Sequence, residues 1–569
     1  MAASSVHLAL LLCLMIMIPA TVASPRRLRE SPAGASRPTT FFEVDRPLRP
    51  PPGSSGPCST LLLSGSFGST LAKPPATAAY SPPRCLAAAG GRASAISLAV
   101  LEWRAACRGA QLDRIFGVWL GGAELLRGST AAPPLDGIVW SVSKDVTKYA
   151  SLVAAGRSTL AVYLGNLVNS TLTGVYRANV TLHLYLRRAP APRPPPAVAP
   201  ADLVLPMSRA LPPNSGGGLW HQIRSAADVQ STSVALPSNT YRAVLELYIS
   251  SHGDDESWYT NQPGYRNGPF REVTVRVDGV LAGAAWPFPV IYPGGIYPLL
   301  WRPVAPIGSF NLPTYDVELT PLLDGKAHEF GFAVTNAQDV WYVGANLHLW
   351  LDPGSTATTA GLVSYVAPPA NATSSQSGDP VDTHHHATAS RLFSAAGWVR
   401  SSYGNITTNA TQTFGLEYTL TFETLDRTTV AGAGVSATDH AGGVVYAVQT
   451  RRNFPLGWLY EQGRLTVTHG LDETTVSAGR WWTGPRSRSL RTTQSSVVED
   501  EEGGGKSWGV RQAYSYEATD GCYFRNVTSS GYGIVSDHSS EVCAAKGTSS
   551  GRGAVGAAPG AEKAGLVRN

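Results

Sequence analysis

Tyr241-Arg-Ala-Val-Leu-Glu-Leu-Tyr-Ile-Ser250 alternates in character: Tyr241, Ala243, Leu245, Leu247 and Ile249 fall on one side of an extended chain, and Arg242, Glu246, Tyr248 and Ser250 fall on the other. Successive side chains of a strand point to opposite faces, so the stretch predicts a strand with one core face and one face free to meet ligand or water. Val273, Val275 and Val277 alternate in the same way with Thr274, Arg276 and Asp278 before Gly279, which predicts a second strand ending in an Asp-Gly turn.

Working outward, the same period of two recurs between turn residues, whereas helical spacing is hard to find after the first residues. Ala178-Asn-Val-Thr-Leu-His-Leu-Tyr-Leu186 is echoed by Ala345-Asn-Leu-His-Leu-Trp-Leu351, each preceded by an Asp-Val element, at Asp145-Val146 and Asp316-Val317. The expectation is an all-β chain with two tandem jelly-roll-like β-sandwich domains, 40–187 and 201–352, and a C-terminal β-rich domain over 390–548. The proline- and alanine-rich run from Arg187 to Pro200 reads as a linker, because proline lacks the amide donor a central strand needs. The Gly/Ser/Thr-rich stretch 353–389 reads as an exposed connector open to proteolysis, which would give a two-chain form, and 549–569 reads as a disordered tail.

With 569 residues, of which 43% are hydrophobic, the chain can bury several cores. Residues 1–23 have the pattern of a signal peptide, with an apolar run from Leu8 to Ala20 followed by small residues. The secretory pathway is therefore expected, ending outside the cell, in the cell wall, or in a vacuole. No later segment is apolar enough to suggest a membrane span. Six N-x-[ST] sequons, at Asn169, Asn179, Asn371, Asn405, Asn409 and Asn526, are candidate glycan acceptors. Removal of Cys13 with the signal leaves five cysteines, for which the expected pairs are Cys85–Cys107 and Cys522–Cys543. No C-x-x-C occurs, and His384, His385 and His386 read as a solvated loop, so no metal site is expected. A net charge of +5 from scattered residues argues against nucleic acid as a partner.

Three segments combine carboxylates, aromatic rings and glycine, the mixture that stacks on sugar faces and binds hydroxyls. In Gln111 to Arg127, Asp113 opens a strand beside Arg114; ionised, it could activate water, although an Asp-Arg pair is as readily a surface feature of a strand edge. In His252-Gly-Asp-Asp-Glu-Ser-Trp-Tyr259, three acids, a histidine and two aromatics share a loop between strands, either a site or a solvated acidic turn. Asp254 and Asp255 are adjacent and make a poor acid–base pair across a scissile bond. The third, Trp286 to Pro303, is too rich in proline and glycine for regular structure and is a functional loop or a structural clamp. No G-x-S-x-G elbow with an obvious partner pattern and no nucleotide-binding glycine motif is present.

Phe41-Phe-Glu-Val-Asp-Arg-Pro47, Leu71-Ala-Lys-Pro-Pro75, Asp113-Arg-Ile-Phe-Gly-Val-Trp-Leu-Gly-Gly-Ala-Glu-Leu-Leu-Arg127, Lys144-Asp-Val-Thr-Lys-Tyr149, Pro287-Phe-Pro-Val290 and Trp301-Arg-Pro303 resemble the plant acidic peptide:N-glycanases. The resemblance implies hydrolysis of the amide joining N-acetylglucosamine to asparagine in N-glycopeptides or denatured glycoproteins, at acidic pH and without a cofactor. A more distant resemblance to the bacterial peptide:N-glycanase F group, built from two jelly-roll sandwiches, implies that Asp113 is the principal catalytic residue. It also implies that His252 and Arg302 bind water, the amide or the first sugar. Arg114, Trp119, Glu256, Trp258 and Asn267 complete the expected substrate-binding set, with Trp119 or Trp258 stacking on the glycan. Two acidic positions of the bacterial pattern fall at Asn267 and Gly165. The competing readings are a non-catalytic glycan-binding β protein and a glycoside hydrolase.

Overall fold

The computed structural model describes residues 38–543 apart from 135, 189–199, 213–214, 380–382 and 503. The expected signal peptide, most of the proline-rich linker and the expected tail lie outside the described residues. The all-β reading of the sequence is borne out.

Two sandwiches follow one another. In the first, a five-stranded sheet runs in the order Thr39–Thr40, Ile138–Asp145, Ile96–Arg108, Val175–Leu186, Cys58–Phe67. It packs on a four-stranded sheet ordered Ala76–Tyr80, Ser158–Leu164, Ile115–Leu120, Ala123–Ser129. In the second, the sheet Leu203–Pro206, Trp341–Leu351, Thr240–Ser251, Thr314–Glu318 packs on the sheet Val229–Ala235, Ala327–Thr335, Glu272–Val277, Val280–Ala285. The orders correspond when the larger sheet of the first sandwich is read from Ile138–Asp145 and that of the second from Thr314–Glu318; Thr39–Thr40 is an addition of the first sandwich. The repeated Ala-Asn motifs lie in Val175–Leu186 and Trp341–Leu351, which hold equivalent places, and the two Asp-Val elements lie at the end of Ile138–Asp145 and within Thr314–Glu318, which are equivalent strands, each separated from the Ala-Asn strand by one intervening strand.

Leu245, Leu247 and Ile249 enter the core of the second sandwich as the alternation requires. The opposite face of that strand is buried as well, because the first sandwich packs against it. There Glu246 meets Lys148 at 2.5 Å and His348 at 3.1 Å, and accepts from the Tyr149 hydroxyl. Burial alone would raise the proton affinity of Glu246, but the charges of Lys148, His348 and Lys144 and the His348 hydrogen bond outweigh it and keep the carboxylate ionised. A face that looked amphipathic in sequence is thus a polar joint between domains.

An eleven-stranded antiparallel sheet spanning residues 359–540 wraps the second sandwich. Residues expected to form an open connector take part in it: Thr359–Val366 and Asn371–Gly378 both pair with Thr383–Ser401, although their side chains stay largely exposed. His384, His385 and His386 lie in that last strand rather than in a loop, and the period of two buries His385 alone.

The expected Cys522–Cys543 disulfide is present, and the expected Cys85–Cys107 bridge is not: Cys85 pairs with Cys58, and Cys107 is a buried free thiol. Strand register gives the reason. Cys58 and Ala99 both face Leu184, so Cys58 lies level with the start of Ile96–Arg108, whereas Cys107 is eight residues further along and pairs with Tyr176. At about 3.3 Å per residue that separation exceeds any disulfide span. Five of the six sequon asparagines are exposed, and Asn405 is half-buried.

Candidate active site

Asp113 stands at the entrance to Ile115–Leu120, in a turn that buried polar groups fix from several sides. The Gln111 side chain donates to the carbonyls of Leu167 (2.9 Å) and Gly174 (3.2 Å) and accepts from the Leu112 amide and the Arg114 guanidinium. The Tyr176 hydroxyl donates to the Leu112 carbonyl at 2.7 Å, and the Arg114 amide donates to the Thr130 hydroxyl at 2.9 Å. Arg114 therefore braces this turn through Gln111. The Asp113 carboxyl is aimed out of the first sandwich at the Pro293-Gly-Gly295 turn of the second, where the Gly294 amide faces it. A Cβ on Gly294 would overlap the Asp113 carboxylate, so only glycine allows this approach.

Glu256 reaches the same place from the second sandwich. Its loop follows Thr240–Ser251 and is anchored by the preceding residue: Asp255, wholly buried, binds Arg271 at 2.6 Å, the Trp341 indole at 2.7 Å and the Gln338 amide at 2.8 Å. The three acids of the loop thus divide. Asp254 is exposed, Asp255 is an internal clamp, and Glu256 faces Asp113.

The two facing carboxyls differ in their surroundings. Burial raises the pKa of Asp113, opposed by its own amide, the Gly294 amide, the Arg114 charge and the Ser129 hydroxyl. Glu256 has no such support: burial and the charge of Asp113 push it up to about 8. The pair titrates as a unit, and the groups that favour a charge, the Gly294 amide, Arg114 and the Ser129 hydroxyl, stand on the Asp113 side of it.

Tyr292 lies beside both carboxyls, donating its hydroxyl to the Ser251 carbonyl at 3.0 Å, and its ring stacks on His252. Burial and the charge of Arg127 pull His252 down to about 3, so the imidazole is neutral. It bonds the Ser250 hydroxyl at 2.9 Å, and Arg127 donates to that same oxygen at 3.1 Å. Arg127 in turn forms two parallel 2.7 Å bonds to Glu124, with both side chains fully buried in the joint between the sandwiches.

The remaining predicted residues lie elsewhere. Trp119 and Trp258 are buried, packed against Trp220 and Trp341, and have no ring face left for a sugar; the stacking role expected for them is corrected here. Asn267 is exposed and donates toward the carbonyls of Asn336 and Ala337 at 3.3 and 3.5 Å. Arg302 donates to the Tyr532 hydroxyl at 3.2 Å, and its carbonyl accepts from the Trp508 indole, which ties this loop to the C-terminal sheet. The place of a side chain at Gly165 is filled by the Tyr163 hydroxyl. Sequence reasoning missed Gly294 and Tyr292, whose only signal was a proline- and glycine-rich loop, and ranked Glu256 below its position.

A carboxyl pair contributed by two sandwiches can activate water and protonate a leaving group. Residues 47–368 match the family model described as peptide N-acetyl-beta-D-glucosaminyl asparaginase amidase A. The chain belongs to that family. It is 40% identical over 568 residues to peptide-N4-(N-acetyl-beta-glucosaminyl)asparagine amidase A of Prunus dulcis, an alignment covering 92% of this chain and 96% of the relative. Among solved structures it is similar to PNGase F, a glycosylasparaginase from Flavobacterium meningosepticum, at 15% identity and a TM-score of 0.36, covering 52% of this chain and 96% of the other. A second structure, recombinant peptide: N-glycanase F, matches at 14% identity and a TM-score of 0.35 over the same shares. The family match contains Asp113, Glu256 and Gly294. Among the described residues no helix is long and apolar enough to cross a membrane.

Proposed function

We propose that the chain hydrolyses the amide between N-acetylglucosamine and asparagine in N-glycopeptides and denatured glycoproteins, with Asp113 as the base and Glu256 as the proton carrier. The observation that carries the reading is the pair of carboxyls brought together by two sandwiches in unequal surroundings, Asp113 with the Gly294 amide, Arg114 and Ser129 favouring its charge and Glu256 with burial and that charge opposing its own. Ionised Asp113 takes a proton from water as the oxygen attacks the carboxamide carbon. The carbon–nitrogen bond then breaks, and Glu256 delivers its proton to the departing glycosylamine, leaving aspartate on the peptide. Family membership supports the reaction class, and the 40% identical relative bears the name of this activity.

His252, held neutral, is suited to binding rather than to donating a proton. Travel through the secretory pathway to the cell exterior, cell wall or vacuole belongs to the same proposal, supported by two disulfides. So does cleavage at the joints of the exposed strands between 353 and 389.

Incubation with a single glycopeptide followed by mass spectrometry tests the reading. Amide hydrolysis converts Asn to Asp and leaves no N-acetylglucosamine on the peptide. A product retaining one sugar would show cleavage between sugars, and unchanged glycopeptide would show binding alone.

A further inference from the structure

A cleft of about 300 Å³ separates the free edge of Val280–Ala285, in the second sandwich, from the face of the C-terminal sheet, and none of Asp113, Glu256 and Gly294 lines it. Its volume stands at the lower end of the roughly 300–1,000 Å³ common for small-molecule sites. Residue size opens it. Strand register aligns Gln412, Ala433, Thr450, Thr475 and Arg488 in one row and Phe414, Ala431, Arg452 and Glu473 in the next, on the same face. The two alanines leave a gap in the middle of these rows, and Ala284 and Ala285 leave another on the facing wall. Gln412 holds the wall in place, accepting from the Ala284 amide at 2.9 Å and donating to the Ala284 carbonyl at 3.0 Å.

The lining mixes apolar surface with polar groups and is electrically balanced, with Arg452 and Arg488 against Glu473 and Asp316. Glu473 accepts from Arg452 at 2.8 Å and from Arg488 at 2.7 Å, and Asp316 supplies a second carboxylate. Ser477 is buried, and its hydroxyl has no hydrogen-bond partner among the described residues. Trp482 is fixed by its indole donating to the Pro485 carbonyl at 2.9 Å, and its ring stays half-exposed. An anionic ligand would meet Glu473 and Asp316, and an apolar one would leave Ser477 and the spare guanidinium donors unpaired. A neutral polyol both donates and accepts, and its ring has an apolar face for the indole.

We propose that this cleft is a second saccharide-binding site, taking a neutral pyranose unit or two against Trp482 and the Arg452–Glu473–Arg488 network. It goes beyond the amidase reading and does not rest on it. Occupation leaves the carboxyl pair free, so the protein can hold one part of a glycan while another reacts.

Calorimetric titration of the full-length protein with mannotriose, which lacks the N-acetylglucosamine core, tests the site. The expected result is millimolar binding that Ala433→Phe, which fills the gap, abolishes. Arg488→Ala, at the exposed mouth, should weaken binding about tenfold through loss of charge-assisted donors. Both variants should cleave a glycopeptide carrying only the core disaccharide at the wild-type rate. If Ala433→Phe fails to fold, Arg488→Ala decides. Absence of mannotriose binding, binding unchanged in the folded variants, or tighter binding of sialyllactose than of mannotriose would overturn the proposal. Binding sensitive to Ala433→Phe in a protein without amidase activity would sustain this site and defeat the catalytic reading.

Discussion

The negative charge of Asp113, at the edge of one sandwich, raises the proton affinity of Glu256, on a loop of the other. The pair exists only because the domains dock. Docking also removes water, so burial is the largest cause of the shift in both groups.

The pH profile follows from that pair. With Asp113 ionised and Glu256 protonated as the reactive form, kcat/KM should be bell-shaped, falling as pH rises through about 8 and falling again at low pH as Asp113 takes up its proton. Glu256→Gln removes the second titration, so it should lose the alkaline limb and keep the acid one, since Glu256 is neutral on that side already. An alkaline limb that persists near pH 8 in this variant would contradict the assignment.

Replacement of the base is the more direct test. Asp113→Asn preserves shape and removes proton acceptance, and it should lower kcat by roughly 10²–10⁴-fold while circular dichroism stays unchanged. Wild-type turnover in this variant would remove Asp113 from the reaction.

Gly294→Ala probes the approach between the sandwiches. The added Cβ would overlap the Asp113 carboxylate, so the carboxyl or the loop must move. Displacement of a reacting group by about 1 Å can cost on the order of 100-fold in rate. The expectation is a loss of that size in kcat with a smaller effect on Tm, because the overlap falls on the Asp113 carboxylate rather than on a core side chain. A fully active variant would show that this contact does not set the geometry.

Stability should also depend on pH. Burial pushes Glu43 and Glu256 up to about 8 from an ordinary 4.5, so the native state holds more protons than the unfolded chain between those values. Stability from these groups is complete below pH 4.5 and is lost as pH rises toward 8. His252 and His469, buried and drawn down to about 3, act in the opposite sense, but only below their ordinary value of 6.5. Between about pH 6.5 and 8 the two acids outweigh Lys144, which burial draws down to about 8 and which opposes them only near the upper limit, so Tm should fall across that window by differential scanning calorimetry. A rising Tm there would refute the burial of these groups.

The fold was legible where local chemistry dictates it. Alternation in Tyr241–Ser250 announced a strand, and the Ala-Asn echo announced a repeated architecture, because period and repetition are carried by neighbours in sequence. Contacts between distant segments left no such trace. The outer face of Tyr241–Ser250 had the composition of a wet surface, yet Glu246 is buried against Lys148. Cys85 and Cys107 were close in sequence and held apart by the length of one strand. In the site, the His252–Tyr259 loop was visible as a cluster, but which of its three acids faces Asp113 is decided by Arg271 and Trp341 taking Asp255. Trp119 and Trp258 looked like sugar platforms because aromatic residues serve cores and binding sites alike, and burial alone separates the two uses.

The Glu124–Arg127 pair offers the sharpest test of the domain joint. Both side chains are fully buried, and besides Glu124, Arg127 reaches the Tyr342 carbonyl and Ser250, while the Trp220 indole donates to Glu124 at 2.9 Å. Removing one partner leaves an uncompensated charge away from water, which typically costs about 3–5 kcal/mol, whereas replacing both removes the charge problem together with the attraction. Arg127→Met should therefore lower the urea midpoint strongly, and adding Glu124→Gln to it should recover part of the loss. The double-mutant cycle would show a coupling of at least about 1 kcal/mol, beyond what an exposed pair provides. Because Arg127 also donates to the Ser250 oxygen bonded by His252, Arg127→Met should raise KM as well, as the imidazole loses its fixed orientation. Additive effects on stability with an unchanged KM would mean that the joint holds without this pair.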